Sequence, residues 1–319
     1  MATYLVTGGA GFIGSHVVQE LVRRGEAVRV LDNLATGKIA NLAGVLGRID
    51  FHEADICDLG GIAPHFADAP YVIHLAALSS VARSVDDPLT ANEVNLTGTL
   101  NVLLAARDAE VKRLVFAASA AAYGNNPTMP RVETLTPDPL SPYALAKVAG
   151  EYYCRVFTKI FGLETVALRF FNIFGPRQNP DSPYSGVLSK FVAAYERGDT
   201  PVIFGDGEQS RDFTYVDNVV DATLRACTAP AAVGKVINVG VGRSYTLNQT
   251  IAILNAIFGR QVKPRYDPPR KGDALHSLAD ISLARQALGY KPLVSFEQGL
   301  RRTVEWFRTQ AADGMQNCK

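Results

Sequence analysis

The chain has 319 residues, 47% of them hydrophobic and 20% charged, with a net charge of +1. That size and balance suit one large or two intimate globular domains with a sizeable core. A near-neutral surface gives no electrostatic reason to expect nucleic acid or an anionic membrane as a partner, so any bound anion must be held by local geometry. Cys57, Cys154, Cys227 and Cys318 are scattered without metal-ligand spacing and read as thiols of a reducing compartment. No stretch reaches the length of a membrane span. The apolar opening Tyr4-Leu5-Val6-Thr7 lacks a basic leader and runs straight into glycines, so it reads as a strand, and the expected location is the cytoplasm.

In chain order, the pattern predicts a strand at 3–7, a helix at 12–24 and a second strand at 27–31. Further β-rich runs stand at 50–54, 71–75 and 113–117, helical patterns at 91–107 and 142–161, and strands at 164–169 and 235–239. Repeated strand–helix alternation means βαβ crossovers and an α/β fold whose parallel sheet is doubly wound, with helices on both faces. Proline and glycine cluster around 175–183 and 264–272, marking a smaller, loop-rich lobe. The expected division is 1–171 for the sheet domain and 172–319 for an interwoven lobe, with the strand near 235–240 rejoining the sheet.

The first strand runs into Gly8-Gly9-Ala10-Gly11-Phe12-Ile13-Gly14 and then a helix. Glycines there permit a tight turn and let backbone N–H groups approach a pyrophosphate at the helix N-terminus, the Rossmann arrangement for a dinucleotide. Asp32 ends the second strand, where a carboxylate accepts hydrogen bonds from a ribose 2′-hydroxyl and repels a 2′-phosphate. NAD is therefore expected over NADP. Asp55 closes the third strand and reads either as a cofactor contact or as a turn residue. Leu75-Ala76-Ala77 closes the fourth, where small side chains let the backbone come close to a dinucleotide.

Tyr143 and Lys147 stand four residues apart, so a phenol and an ammonium share one helical face. A nearby ammonium favours the phenolate and can turn the tyrosine into a base near neutral pH. Ser119 runs off a strand end, where it reads as a turn residue or as a hydroxyl facing the cleft. Together the three make a complete set for chemistry at a substrate hydroxyl. The tyrosine takes its proton, the serine bonds the same oxygen, and the lysine holds the tyrosine ionised. His74, at a buried strand end, reads as a satisfied core histidine.

With these motifs in this order, the whole chain resembles the extended short-chain dehydrogenase/reductases, specifically the UDP-sugar 4-epimerases. Asp32-Asn33-Leu34, His74-Leu75-Ala76-Ala77 and Asn95-Leu96-Thr97-Gly98-Thr99 carry the resemblance beside the glycine turn and Ser119/Tyr143/Lys147. So do the runs from Arg169 to Pro180 and from Gly205 to Phe213. The resemblance implies NAD contacts from Gly8, Gly11, Phe12, Ile13, Gly14, Asp32, Asn33, Asp55, Ile56, Leu75, Ala76, Ala77, Asn95, Tyr143 and Lys147. It implies UDP contacts from Asn172, Arg211, Arg270 and Asp273, and further substrate contacts from Ser80, Ser119, Gln178, Val187, Leu188, Phe204 and Ser277. It also implies a mechanism: hydride leaves C4 for NAD, the 4-keto sugar turns over, and the hydride returns to the opposite face. Helices 91–107 and 142–161 would pair in a four-helix homodimer interface, although core packing explains part of their apolar pattern.

Departures from the family pattern narrow the task. Ala120, Ala121 and Ala122 follow Ser119, so an auxiliary hydroxyl common in the family is missing. The Asp-Glu pair of the related 4,6-dehydratases is absent too, and three alanines cannot eliminate water. In Gly272-Asp273-Ala274-Leu275-His276-Ser277, the family position beside the sugar C2 substituent matches Ser277. A small residue there leaves volume for an acetamide, whereas overfilling a packed pocket costs about 1–3 kcal/mol. Tyr184 and Ser185 resemble positions of epimerases that accept N-acetylated sugars. Ser79, Ser80 and Arg83 could face the same pocket or serve as ordinary helix caps. The expected substrates are UDP-glucose and UDP-galactose together with their N-acetylated forms. A UDP-glucuronate 4-epimerase and a nucleotide-sugar 4-ketoreductase remain the enzyme alternatives, and an NAD-binding regulator the non-catalytic one.

Overall fold

The computed structural model describes residues 3–178, 186–269 and 275–316. Strand β1 (Thr3–Thr7), helix α1 (Phe12–Arg23) and strand β2 (Ala27–Asp32) make the first crossover. Strand β3 (Asp50–Glu53), helix α2 (Leu59–Ile62) and strand β4 (Tyr71–His74) follow. Helices α3 (Val81–Asp86), α4 (Pro88–Asn92) and α5 (Gly98–Asp108) lead to strand β5 (Arg113–Ser119). Helix α6 (Pro142–Phe161) and strand β6 (Glu164–Phe170) complete the first half.

The second half brings β7 (Ile173–Phe174), α7 (Val187–Arg197), β8 (Val202–Phe204), β9 (Ser210–Arg211) and β10 (Thr214–Tyr215). After these come α8 (Val216–Thr228), β11 (Val236–Val239), β12 (Tyr245–Thr246) and α9 (Leu247–Phe258). Strand β13 (Arg265–Asp267) and helices α10 (Ser282–Leu288) and α11 (Phe296–Gln316) close the chain. The half expected to be loop-rich therefore carries five helices among the described residues. Its strands, β11 aside, are only two or three residues long.

The central sheet has seven parallel strands in the order β11-β6-β5-β4-β1-β2-β3. From β1 the chain winds outward one way through β2 and β3, then returns beside β1 at β4 and winds the other way. The carboxyl edge between β1 and β4 is the switch point, where such sheets bind ligands. Both faces are covered because successive strand residues point to opposite sides. Leu5, Val72, Leu114, Phe116 and Ala167 enter the core beneath α5 and α6. Val6, Ile73, Val115, Val166 and Leu168 enter the other core, which α1 and α8 cover.

Two segments beyond residue 171 return to this sheet. β11 pairs with β6 at its edge, and α8 lies beside α1 across its face. Asn218 on α8 fastens the C-terminal part: its Oδ1 accepts the Leu293 and Val294 N–H groups at 2.7 and 2.9 Å, and its Nδ2 donates to the Val294 carbonyl at 2.8 Å. The helix expected at 91–107 begins earlier, at Pro88 under an Asp87 cap, and is interrupted by a π-helical turn, Glu93–Thr97. No helix among the described residues is long and apolar enough to cross a membrane.

Candidate active site

One cleft of about 380 Å³ lies along the carboxyl edge of the sheet. Gly8, Gly11, Phe12, Ile13, Gly14, Asp32, Asn33, Asp55, Ile56, Leu75, Ala76 and Ala77 all line it. The glycines are sterically required. A Cβ on Gly14 would stand 2.1 Å from the Gly8 carbonyl oxygen, and one on Gly8 would stand 2.6 Å from the Ala76 backbone nitrogen. Gly8 also has φ +71°, a left-handed backbone that suits glycine. The turn is therefore wound tightly against the end of β4, and the N-terminus of α1 opens into the cleft.

Asp32 is buried, and its carboxylate accepts the N–H groups of Ala10 (2.9 Å) and Leu34 (2.8 Å). Burial raises its pKa, and those two amides partly offset the rise. Two oxygens holding one amide each still have lone pairs to offer a ribose. Asn33 donates to Asp55 at 2.8 Å, and Asp55 accepts the Cys57 N–H at 2.8 Å, so Asp55 shapes a turn and lines the cleft at once. A glycine cradle at a helix N-terminus, a carboxylate at the end of β2 and small residues after β4 fit a dinucleotide.

Two expected contacts have other work in the structure. Asn95 is buried in the π-helical turn and does not line the cleft. Its Oδ1 accepts the Leu78 N–H at 2.8 Å and its Nδ2 donates to the Leu78 carbonyl at 3.0 Å. It shapes the loop after β4 from one step behind the ligand surface. Ser80 caps α3, accepting the Arg83 N–H at 3.0 Å, which is the bland role open to it from the sequence. Conversely, Thr36, Gly37, Thr90, Val94 and Ala117 line the cleft without having been foreseen. Only Gly37 carried a signal, because a Cβ there would meet the Asp32 carboxylate at 2.8 Å.

Helix α6 starts at a Ser141 cap with Pro142 in its first turn, which puts Tyr143 at the helix mouth. The Tyr143 N–H, one of the unpaired donors of a first turn, bonds the Ser84 hydroxyl at 3.1 Å. Ser119 ends β5, and its hydroxyl favours the Tyr143 phenolate against the effect of burial. Its Oγ accepts the Ala121 N–H at 3.1 Å, so the hydroxyl has one proton to donate. Lys147 is buried one turn along, with Nζ 4.9 Å from the Phe116 ring centroid and 5.9 Å from that of Tyr143. Burial pushes the Lys147 ammonium down to about 8. The spacing implied a phenol drawn down by this ammonium. Here burial wins and raises Tyr143, with the Ser119 hydrogen bond opposing it.

His74 is a core residue: Nδ1 lies 2.7 Å from the Thr7 hydroxyl and Nε2 3.1 Å from that of Thr99. Burial lowers its pKa to about 3, so it stays neutral.

A second cleft, of about 270 Å³, is lined by Asn172, Gln178, Val187, Leu188, Phe204 and Arg211, together with the unforeseen Gln209 and Phe213. Ser277 joins this group through Asn172, whose Nδ2 is 3.4 Å from the serine hydroxyl. Asn172 has φ +32°, uncommon for a non-glycine residue. The Arg211 guanidinium donates to the carbonyls of Ser210 and Leu275 at 2.9 and 3.1 Å. Arg270, Asp273, Tyr184 and Ser185 lie outside the described residues.

Comparison with known proteins agrees with this geometry. Residues 4–240 match the model of a family described as the NAD dependent epimerase/dehydratase family. The solved UDP-glucose 4-epimerase of Thermotoga maritima, in complex with UDP-glucose, is 42% identical with a TM-score of 0.92, covering 97% of this chain and 99% of that one. The UDP-N-acetylglucosamine 4-epimerase of Methanobrevibacter ruminantium, in complex with UDP-N-acetylmuramic acid, is 41% identical with a TM-score of 0.93 over the same shares. A UDP-glucose 4-epimerase of Mycolicibacterium smegmatis is 41% identical over 313 residues, which is 96% of this chain and 99% of the relative.

Gly14→Ala tests the cradle. The added methyl cannot fit beside the Gly8 carbonyl, so the turn must open. Purified variant should carry less than a tenth of the wild-type bound dinucleotide per protomer, read from nucleotide released on denaturation. Equal occupancy would remove the glycine turn from the binding site.

Proposed function

We propose that this chain, which belongs to the NAD dependent epimerase/dehydratase family, inverts C4 of UDP-glucose and UDP-galactose and also accepts their N-acetylated counterparts. It is an enzyme of the UDP-sugar 4-epimerase type with NAD as its cofactor. The observation that carries the reading is the set of Ser119 at the carboxyl end of β5 and Tyr143 and Lys147 one turn apart on α6, which packs on that strand. Ala117 of the same strand lines the dinucleotide cleft, so the proton-handling groups adjoin it.

NAD, when bound, supplies the oxidising power, taking the C4 hydrogen with its electron pair and giving it back to the other face. The chain's part is to hold the sugar and move a proton. Tyr143 Oη accepts the proton of the C4 hydroxyl and later returns it, so the reaction carries no net redox change. Burial opposes ionisation of this phenol, while the Ser119 hydroxyl favours it. Once Tyr143 holds the proton, Ser119 turns its one hydroxyl proton to the same sugar oxygen. Ala120, Ala121 and Ala122 offer no acid or base, so the oxidised sugar is not drawn into elimination. Asn172 and Arg211 hold the diphosphate, joined by Arg270 and Asp273, and the apolar Val187, Leu188 and Phe204 wall the base. The small Ser277 leaves room at C2.

Purified protein incubated with UDP-galactose or UDP-N-acetylgalactosamine, without added NAD, should form the C4 epimer, resolved by chromatography. Tyr143→Phe should lower turnover at least 10³-fold, the scale of a lost general base, while retaining bound NAD. Product from UDP-glucuronate alone, or a requirement for stoichiometric NADH, would redirect the reading to the uronate enzyme or to a ketoreductase.

Ser277→Tyr separates the sugars. The ring fills the space argued for the acetamide, so turnover of the N-acetylated substrate should fall at least a hundredfold while UDP-galactose keeps most of its rate. Equal losses on both would remove Ser277 as the discriminating wall.

We further propose a homodimer built on a four-helix bundle of α5 and α6. On α6, Leu145, Tyr152, Val156 and Ile160 form one stripe with 45–72% of their surface exposed. Leu89 nearby is 83% exposed. Such an unpaired apolar face exceeds what scattered surface residues account for. Ile160→Glu combined with Tyr152→Glu should shift the sedimenting species to the monomer; an unchanged mass would refute this interface.

A further inference from the structure

Asp212 follows β9 and is fully buried, and among the described residues no basic side chain bonds its carboxylate. Its carboxylate collects three backbone N–H groups: Oδ1 accepts Val241 at 2.8 Å, and Oδ2 accepts Gly242 at 2.9 Å and Ala279 at 3.2 Å. Those amides come from two segments, the turn after β11 and the stretch that follows Ser277. Burial raises the carboxyl to about 6, against the pull of the three amides, so it is ionised at neutral pH.

The position of these bonds explains why a carboxylate stands there. Residues 275–279 run beside 210–212 as a short parallel ladder. Ser210 N–H donates to the Leu275 carbonyl at 2.9 Å, and Ser277 N–H donates to the Ser210 carbonyl at 3.0 Å. The next rung of a parallel ladder would take Ala279 N–H to the Asp212 carbonyl. That carbonyl instead accepts the side-chain amide of Asn172 at 3.1 Å, and the Asp212 carboxylate receives Ala279 in its place. One residue thus holds Asn172 with its main chain and the Ser277 strand with its side chain. Gly240 shows how closely the parts are fitted: a Cβ there would stand 2.9 Å from Asp212 Oδ2 and 2.7 Å from the Ala279 Cβ.

We infer that Asp212 is the positioning residue of the nucleotide-sugar cleft, setting Asn172, Arg211 and Ser277 relative to one another so that a nucleoside diphosphate and its sugar meet a preformed wall. The inference rests on the reading of this cleft as the UDP-sugar site. Asp212 touches no substrate itself. Its effect is on affinity, because Tyr143, Ser119 and Lys147 stand on β5 and α6, outside the clamp.

The test is Asp212→Asn in the NAD-bound enzyme. An amide has one accepting oxygen, so at least one of the three N–H groups would face an NH₂ and lose its bond. KM for the UDP-sugar should rise about tenfold with kcat within twofold of wild type, and the Kd of UDP alone, by titration calorimetry, should weaken about tenfold. Bound NAD per protomer should not change. A purely structural role would lower the melting temperature and the active fraction but leave KM and the UDP Kd where they were, and that result overturns the inference. Asn218→Ala is the matched control: it removes a buried three-bond clamp on α8 and should cost stability without moving KM.

If Asp212→Asn does not fold, Gly240→Ala presses on the same contact from the other side and should raise KM in the same direction; an unchanged KM there overturns the inference as well. Wild type that binds no UDP would bring down the reading of the cleft and this inference with it. Wild type that binds UDP beside an Asp212→Asn variant that binds it equally well would bring down the inference alone.

Discussion

How closely helix α6 lies against strand β5 sets where Ser119, Tyr143 and Lys147 stand. A Cβ at Gly150 would stand 2.5 Å from Phe116 Cζ, so any larger residue would lift the helix off the sheet. With glycine there, the helix settles until Lys147 lies over the Phe116 ring and Tyr143 meets Ser119. Its start is fixed by the Ser141 cap and its end by Gly162 at φ +74°. One turn past Lys147, Glu151 makes a buried two-pronged pair with Arg169 of β6, at 2.8 and 2.7 Å. Such a pair adds little net stability, but it leaves the helix one rotation about its axis in which both charges are satisfied. Tyr143, Lys147 and Glu151 share a face, so a pair chosen for rotation at one end sets the direction of the phenol at the other.

That closeness acts on the chemistry in opposing ways. Removing the site from water lowers Lys147 to about 8 and raises Tyr143, and both shifts favour the uncharged forms. The same low dielectric strengthens any charge–charge term once charges are present. The protonation of Tyr143 and Lys147 is therefore sensitive to small changes in nearby charge. The Ser119 Oγ is anchored by the Ala121 amide, which fixes a hydroxyl whose one proton serves one acceptor at a time.

The sheet half was legible because its determinants are local. Apolar runs of β-rich residues, helical periodicity and glycines at fixed offsets gave the strands β1 to β6 to within one or two residues, and α6 was read to the residue. Gly8 to Gly14 and Asp32 fall on one cleft because the turn and the strand ends that carry them are set by the crossover itself. Asn95 shows where such reading stops. Its motif is easily seen, but whether the amide meets a ligand or the Leu78 backbone depends on a π-helical turn, and helical periodicity does not register one inserted residue. Ser80 is ambiguous for a different reason, since a capping hydroxyl and a substrate-facing one are the same residue type in the same loop, and the structure shows the cap.

The second lobe was opaque for a deeper reason. Outside β11 its strands span two or three residues, too few for an alternating pattern to show. What holds them is a set of side chains reaching far along the chain: Asn172 to Asp212 and Ser277, Tyr123 to Asn238, Asn238 to Arg131 and Asp280, Asp212 to Val241 and Ala279. Each is a polar group satisfied by a partner that sequence spacing cannot name. The same arrangement gives the cleft its character. A long ladder spreads the work of alignment over many equivalent bonds, whereas here a few buried side chains carry it. The sheet half can then tolerate change on its surface, while the shape of the second cleft rests on a few buried polar side chains.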